Sequence, residues 1–275
     1  MSERRFSLAA LTVLELSPPE MVETAARAGY DAVGLRPIPA TDGEPSFPLM
    51  TDTGLVRETG RRLRDTGLTV LDIEILRLKP EPRVRADFTA VMEVGAELGA
   101  SEVLVAGNDD DLTRTIDNFA ALCELARPYG LHPHLEFMPW TGVKNLDEAH
   151  RIVAAVRDAG HDNACLLIDA FHFDRSRSRL ETLAELPVDW LRYVQLCDVP
   201  GPIPECMDEI LREARSERCF PGDGQADLRG FLGIIPPGAP LSLEIPTDAL
   251  RQRGFSAFQR ATLALEKARQ VAAAD

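Results

Sequence analysis

The sequence predicts an α/β chain folded as a single (β/α)8 TIM barrel over residues 1–275, and three observations predict it. Eight short apolar runs alternate with amphipathic stretches along the whole length. The runs are rich in Leu, Val and Ile with little polar alternation, the pattern of parallel strands buried on both faces. No Gly-x-Gly-x-x-Gly follows the first run, which removes the main sign of a doubly wound sheet. The length suits one barrel, and no linker or composition break divides it.

The elements follow in order. Phe6–Leu11 reads as the first strand, followed by a helix that opens at Ser17-Pro-Pro-Glu20 and stops near Gly29. A serine cap with prolines in the first turn suits such a start. Asp31–Arg36 is the second strand, and a Pro-, Gly- and Asp-rich loop covers Pro37 to Thr53. A helix then runs to about Asp65 with Gly67 as its stop, and Leu68–Leu76 is the third strand. The spacing next predicts a helix over Val84–Leu98, a strand over Ser101–Ala106 and a helix over Asp111–Arg127. Leu131–Met138 is the fifth strand, and Asn145–Ala159 is a helix capped by Asn145, with Glu148 in the capping-box position. Ala164–Ala170 is a strand, Arg179–Glu185 a short helix and Leu191–Leu196 the seventh strand. A helical insertion, Pro204–Arg218, precedes the turn Pro221-Gly-Asp-Gly224. Asp227–Ile234 is a short helix, Leu241–Ile245 the last strand and Phe255–Ala273 the closing helix.

Composition narrows the function. Hydrophobic residues make up 45%, enough for a full core, and 30 Lys plus Arg stand against 44 Asp plus Glu, for a net charge of −14. Such a surface repels phosphate backbones, so a small-molecule substrate is expected and nucleic acid is not. A homo-oligomer is compatible with this surface. Neither a signal peptide nor a membrane span is expected, because the apolar stretches are too short. The chain reads as cytoplasmic. Cys123, Cys165, Cys197, Cys206 and Cys219 show no Cys-x-x-Cys spacing, so neither a disulfide framework nor a zinc site is expected of them.

Four apolar segments each end in one polar group: His-Leu-Glu136-Phe-Met, Leu-Leu-Ile-Asp169-Ala, Tyr-Val-Gln195-Leu-Cys and Leu-Ser-Leu-Glu244-Ile-Pro. Burying such a group is costly unless it finds a partner. All four fall late in strands five to eight, at the end of a barrel where chemistry resides. Their convergence predicts a site for one divalent cation. Three carboxylates and an amide oxygen suit Mg²⁺ or Mn²⁺ best, with Co²⁺ or Zn²⁺ as alternatives.

Other residues surround this set. His172, just past the sixth strand, is a candidate substrate donor or base. His134 shares the strand face of Glu136 and should lie one layer deeper, supporting the site. Arg36 and Glu74 occupy strand ends on the far side of the mouth, either touching substrate or pairing with each other. Arg215 and Arg218, in the insertion after the seventh strand, are candidates to bind a substrate oxygen or carboxylate. His132, His150 and His161 carry no such mark.

The spaced set Glu136, Asp169, Gln195 and Glu244, with His172 three past the aspartate and Pro-Gly-Asp-Gly before the last strand, resembles the xylose isomerase-like TIM-barrel superfamily. That group holds sugar and sugar-phosphate isomerases and epimerases, inosose dehydratases, 3-dehydroshikimate dehydratases and AP endonucleases. Glutamine at 195, where ketose epimerases usually have histidine, looks more like hydroxypyruvate isomerase and the 3-dehydroshikimate dehydratases. Pro202 stands where an arginine is usual. Few histidines and the acidic charge set the chain apart from the AP endonuclease branch. The resemblance implies proton abstraction beside a carbonyl through a metal-stabilised enediolate. Glu136 and Glu244 would be the acid/base pair, Asp169 and Gln195 ligands, and His172 an aid to the leaving group. The expected function is a metal-dependent isomerase or epimerase of a keto sugar or related compound. The alternatives are a dehydratase of the 3-dehydroshikimate or inosose type and, more remotely, a non-catalytic binding subunit.

Overall fold

A computed structural model describes residues 4–41 and 43–273. Eight parallel strands close into a barrel in sequence order, β1-β2-β3-β4-β5-β6-β7-β8, and β1 pairs with β8. The strands are β1 Phe6–Leu8, β2 Ala32–Leu35, β3 Thr69–Leu78, β4 Glu102–Gly107, β5 His132–Glu136, β6 Cys165–Asp169, β7 Val194–Leu196 and β8 Leu241–Leu243. The outer helices are α1 Pro18–Ala28, α2 Thr53–Thr66, α3 Val84–Glu97, α4 Leu112–Ala126 and α5 Leu146–Asp158. They continue with α6 Ala170–Arg175, α7 Leu180–Ala184, α8 Met207–Ser216, α9 Leu228–Ile234, α10 Asp248–Gln252 and α11 Ala257–Ala272. Among the described residues no helix is long and apolar enough to cross a membrane.

Local chemistry sets the helix ends as the sequence suggests. Ser17 and Glu20 form a reciprocal capping box on α1, and Gly29 and Gly67 end α1 and α2 with φ of 92° and 73°. Those left-handed positions suit glycine, which has no Cβ to clash. Asn145 caps α5 through the Glu148 N–H, but the Glu148 carboxylate accepts from the N–H of Lys144 instead of closing a full box on Asn145.

Three differences from the expected elements bear on the site. The first strand ends at Leu8, and Ala10–Val13 coil into a 3-10 turn. The Thr12 hydroxyl fixes that turn against β8, donating to the Leu243 carbonyl and accepting from the Ile245 N–H, each at 2.7 Å. The third strand runs two residues further, to Leu78, which places Arg77 on a strand end. The segment after β6 is helix α6, not a loop. The Asp169 carboxylate caps it by accepting from Phe171 N–H (2.6 Å) and His172 N–H (3.2 Å).

The main apolar core lies between barrel and helices. A smaller cluster fills the barrel itself, with Ala32, Ile75, Leu104, Ala106, Met138, Leu167 and Tyr193 among its members. Register levels the candidate groups: Asp169 pairs with Gln195 across β6–β7, and Gln195 with Ser242 across β7–β8.

Candidate metal centre and active-site cavity

Glu136 and Asp169 close their strands, Gln195 sits mid-strand in β7 and Glu244 follows β8 by one residue. All four side chains are buried. Ligand atoms of Glu136, Asp169 and His172 all lie within 4.8 Å of one another, close enough to share one ion. Gln195 joins them: its amide end facing the carboxylates lies 3.2 Å from Glu136 Oε1 and 3.0 Å from Asp169 Oδ2. With the oxygen turned that way three oxygens face each other, which is repulsive unless a cation lies between them. With the NH2 turned that way, two hydrogen bonds form. Oxygen ligands in a Mg²⁺ octahedron, about 2.1 Å from the ion, sit about 3 Å apart along its edges. The spacing of these residues fits such an ion.

Glu244 stands apart from this trio, across a guanidinium. Arg218 donates from Nη1 to Asp169 Oδ2 at 2.7 Å, and its Nη2 lies 2.9 Å from Glu244 Oε2. Further bonds to the carbonyls of Ala214 (2.9 Å) and Glu244 (3.2 Å) and stacking over Phe171 fix the group. Glu244, expected to share the ion, is not among the groups whose ligand atoms lie within 4.8 Å of one another, and its Oε2 is engaged by Arg218.

The electrostatics follow from burial and neighbours. Burial, then the Asp169 and Glu244 carboxylates, push Glu136 well above the usual carboxylate range. Burial also lifts Glu244 to about 8, against the pull of Arg218. Burial works against ionised Asp169, yet Arg218 and the α6 backbone hold its carboxyl below the usual value. Burial drops His172 to about 4, so its imidazole is neutral at pH 7. His172 Nε2 is 3.7 Å from Glu136 Oε1, and its buried Nδ1 has no hydrogen-bond partner among the described residues.

Above the carboxylates opens a cavity of about 420 Å³ lined by Arg36, Arg77, Glu136, Trp140, His172, Arg215, Arg218 and Glu244, among others. Arg36 lies 3.2 Å from Glu74 and 3.6 Å from Glu244, and donates to Glu44 at 3.3 Å. The expected Arg36–Glu74 pairing is therefore present, and Glu74 lies fully buried behind it. Arg215 lines the cavity and Arg218 reaches down to its carboxylates, as places for both arginines near the mouth required. His134 does not line the cavity. One layer deeper, its Nε2 meets Glu102 at 2.7 Å and its Nδ1 lies 3.1 Å from the Leu166 carbonyl. Glu102 in turn binds Arg192 at 2.9 Å.

Sequence reasoning missed Arg77, Trp140 and Glu44. Arg77 lies outside the expected strand, and a spacing of three from Glu74 would put it on the opposite face of a regular strand; the register shift between Ile73 and Leu76, which the sequence does not mark, interrupts that spacing. Among the described residues Arg77 donates only to Asn108 Oδ1, at 3.1 Å, and Arg215 makes no ion pair. Burial holds the Arg77 guanidinium down, Glu136 favours it, and the Arg36 and Arg215 charges oppose it. Among the described residues, neither Arg77 nor Arg215 at this cavity is paired directly with a carboxylate.

Comparison with known proteins agrees with this architecture. The chain is 30% identical over 253 residues to a 3-dehydroshikimate dehydratase of Pseudomonas putida, covering 85% of this chain and 36% of that protein. It therefore spans little more than a third of the length of the dehydratases it matches. An inosose isomerase of Bacillus subtilis is 26% identical over 168 residues, 57% of each chain. Among solved structures, the IolI protein with a bound zinc atom superposes with a TM-score of 0.82 at 22% identity, covering 98% of both chains. The model for the xylose isomerase-like TIM barrel matches residues 22–271. By that match, the chain belongs to the xylose isomerase-like TIM-barrel family.

Proposed function

We propose that this chain is a divalent-metal-dependent hydro-lyase that removes a proton beside a carbonyl of a carboxylate-bearing polyhydroxy compound and expels a β-hydroxyl, as a 3-dehydroshikimate-type dehydratase does. The observation that carries the reading is Arg77, a half-buried cation with no carboxylate partner among the described residues, on the wall of a cavity floored by buried carboxylates, with the exposed Arg215 also lining it. A buried or half-buried cation without a counter-ion favours an anionic ligand, and a guanidinium fork matches a carboxylate. The likeness to dehydratases over 85% of the chain supports the same choice.

Glu136, Asp169 and Gln195 would hold the ion, with His172 within reach of the same point. Mg²⁺ or Mn²⁺ suits the oxygen donors; Zn²⁺ or Co²⁺ would draw on His172. When bound, the ion supplies Lewis-acid polarisation of the substrate carbonyl. Glu244, raised by burial to about 8, accepts the proton in its ionised form. His172 donates a hydrogen bond to the departing hydroxyl from the side of α6, and the proton taken up by Glu244 is returned to that hydroxyl, which leaves as water. Arg218 holds Asp169 and Glu244 in place and adds a fixed positive charge where negative charge develops. Trp140, edge-on to the His172 ring at 5.0 Å, walls the site against water.

An isomerase or epimerase is the second reading, favoured by the inosose isomerase likeness. Both share the proton abstraction and differ in where the proton goes. The chain loaded with Mn²⁺ should be incubated in deuterated water with 3-dehydroshikimate, an inosose and a keto sugar. Loss of water with rising ultraviolet absorbance on the keto acid supports the lyase. Deuterium uptake without water loss, on a neutral substrate, would replace it with the isomerase.

A further inference from the structure

Asp198, three residues past Gln195 at the exit of β7, is 2% exposed and does not line the cavity. Its carboxylate accepts four backbone N–H bonds. Oδ1 takes Val199 (2.8 Å) and Ala226 (2.9 Å), and Oδ2 takes Gly222 (3.0 Å) and Gly224 (3.1 Å). The Pro-Gly-Asp-Gly turn is therefore wrapped around this one side chain. Gly224 packs so closely on it that a Cβ there would collide with the Asp198 carboxylate and the Val199 carbonyl.

The backbone of Asp198 does a second job. Its N–H donates to the Cys219 carbonyl at 2.9 Å, and Cys219 N–H donates back at 3.0 Å. On the other side Glu217 bridges to Thr247, and Arg218 N–H donates to the Pro246 carbonyl at 3.1 Å. The strip 217–219 thus spans from the exit of β7 to the exit of β8, and the Arg218 side chain drops between them onto Asp169 and Glu244. The preceding helix α8 is anchored as well, by the buried pair Arg175 Nε to Glu213 Oε2 at 2.9 Å.

We propose that Asp198 is the positioning residue for Arg218: by gathering the turn that follows the strip, it fixes where the guanidinium meets the reactive carboxylates. The proposal rests on the reading of Arg218 as part of the active site. A carboxylate satisfied by several backbone donors is rigid, and a charge aimed at a reacting centre works only if its placement is fixed beforehand.

Two measurements on the intact chain test it. In Asp198→Asn, the amide oxygen keeps two acceptor bonds while the NH2 faces two N–H donors. The Arg218 Nε–H, bonded to the Ala214 carbonyl, should then exchange with solvent at least tenfold faster, while amides of Leu135 and Leu167 keep their protection. In the same variant kcat/KM should fall at least tenfold below the melting temperature, with little further loss when Arg218→Gln is added. Unchanged Nε–H exchange in a folded Asp198→Asn would overturn the proposal. Should that variant unfold, the wild type decides. Gly222, Gly224 and Ala226 amides and the Arg218 Nε–H should open as one unit with protection within a few-fold. Arg218 protected more than tenfold beyond the turn would sink the idea. Altered exchange with no turnover by the wild type on any substrate would count against the proposed reaction and leave the positioning role intact.

Discussion

Replacing Arg77 by glutamine removes a half-buried cation from the cavity wall while keeping a hydrogen-bond donor of similar reach. Its partner in the free protein is the neutral Asn108 side chain, so no carboxylate is left stranded by the change. The cost should therefore fall on substrate rather than on folding. A charge-assisted hydrogen bond to a carboxylate contributes about 1.5–3 kcal/mol, which is about 10- to 150-fold in kcat/KM. Arg77 should lie toward the upper part of that range, because burial shields it from water. Arg215 is exposed, so Arg215→Gln should cost only about three- to tenfold. The assay compares kcat/KM on a keto acid and on a neutral inosose of similar size, at low and high salt. The loss should appear on the acid alone and should shrink for Arg215 as salt rises. Equal losses on acid and neutral compound, or none on the acid, would refute the assignment of an anionic substrate.

Three further outcomes follow from the buried charges. Glu102 is brought to about 2, where burial alone would raise it, by His134 and Arg192. Its ionised form therefore stabilises the barrel above the usual carboxylate range, and this is lost as pH falls from about 4.5 through 2. Glu102→Gln should cost about 3 kcal/mol at pH 7 in urea unfolding, with the gap to wild type closing at low pH. Asp72 shows the opposite sign, pushed well above its ordinary value by burial and by Glu74, Glu244 and Glu102, with both oxygens lacking hydrogen-bond partners among the described residues. Asp72→Asn should match wild-type stability near pH 4 and exceed it increasingly toward pH 8; a variant less stable at both would show that Asp72 is needed as an anion. His172→Ala should lower kcat by about 100-fold while changing Mn²⁺ affinity less than loss of a carboxylate does; unchanged turnover would return His172 to a packing role.

The fold and the floor of the site were legible because both are written in local patterns. Glu136, Asp169 and Gln195 interrupt apolar strands, and strand alternation alone aims them inward. The walls were hidden for identifiable reasons. No element is expected between the strand end at Ala170 and Arg179, and the Asp169 carboxylate, capping Phe171 and His172, starts a helix there. Arg77 was hidden by a strand that outlasts its apolar run, pairing on to Gly107 of β4. Arg218 could be assigned to the mouth from its place after β7. Its bridging of Asp169 and Glu244 depends on pairings with Asp198 and Thr247 that no spacing in the chain encodes.

The most direct test of the central claim is the affinity of the chelator-stripped chain for Mn²⁺, read from the electron paramagnetic resonance signal of the free ion in wild type and in Glu136→Gln. One ion per chain in the wild type, with affinity at least tenfold weaker in the variant, is the result expected of an oxygen site built on Glu136, Asp169 and Gln195. No binding by the wild type, or equal binding by both, would contradict it.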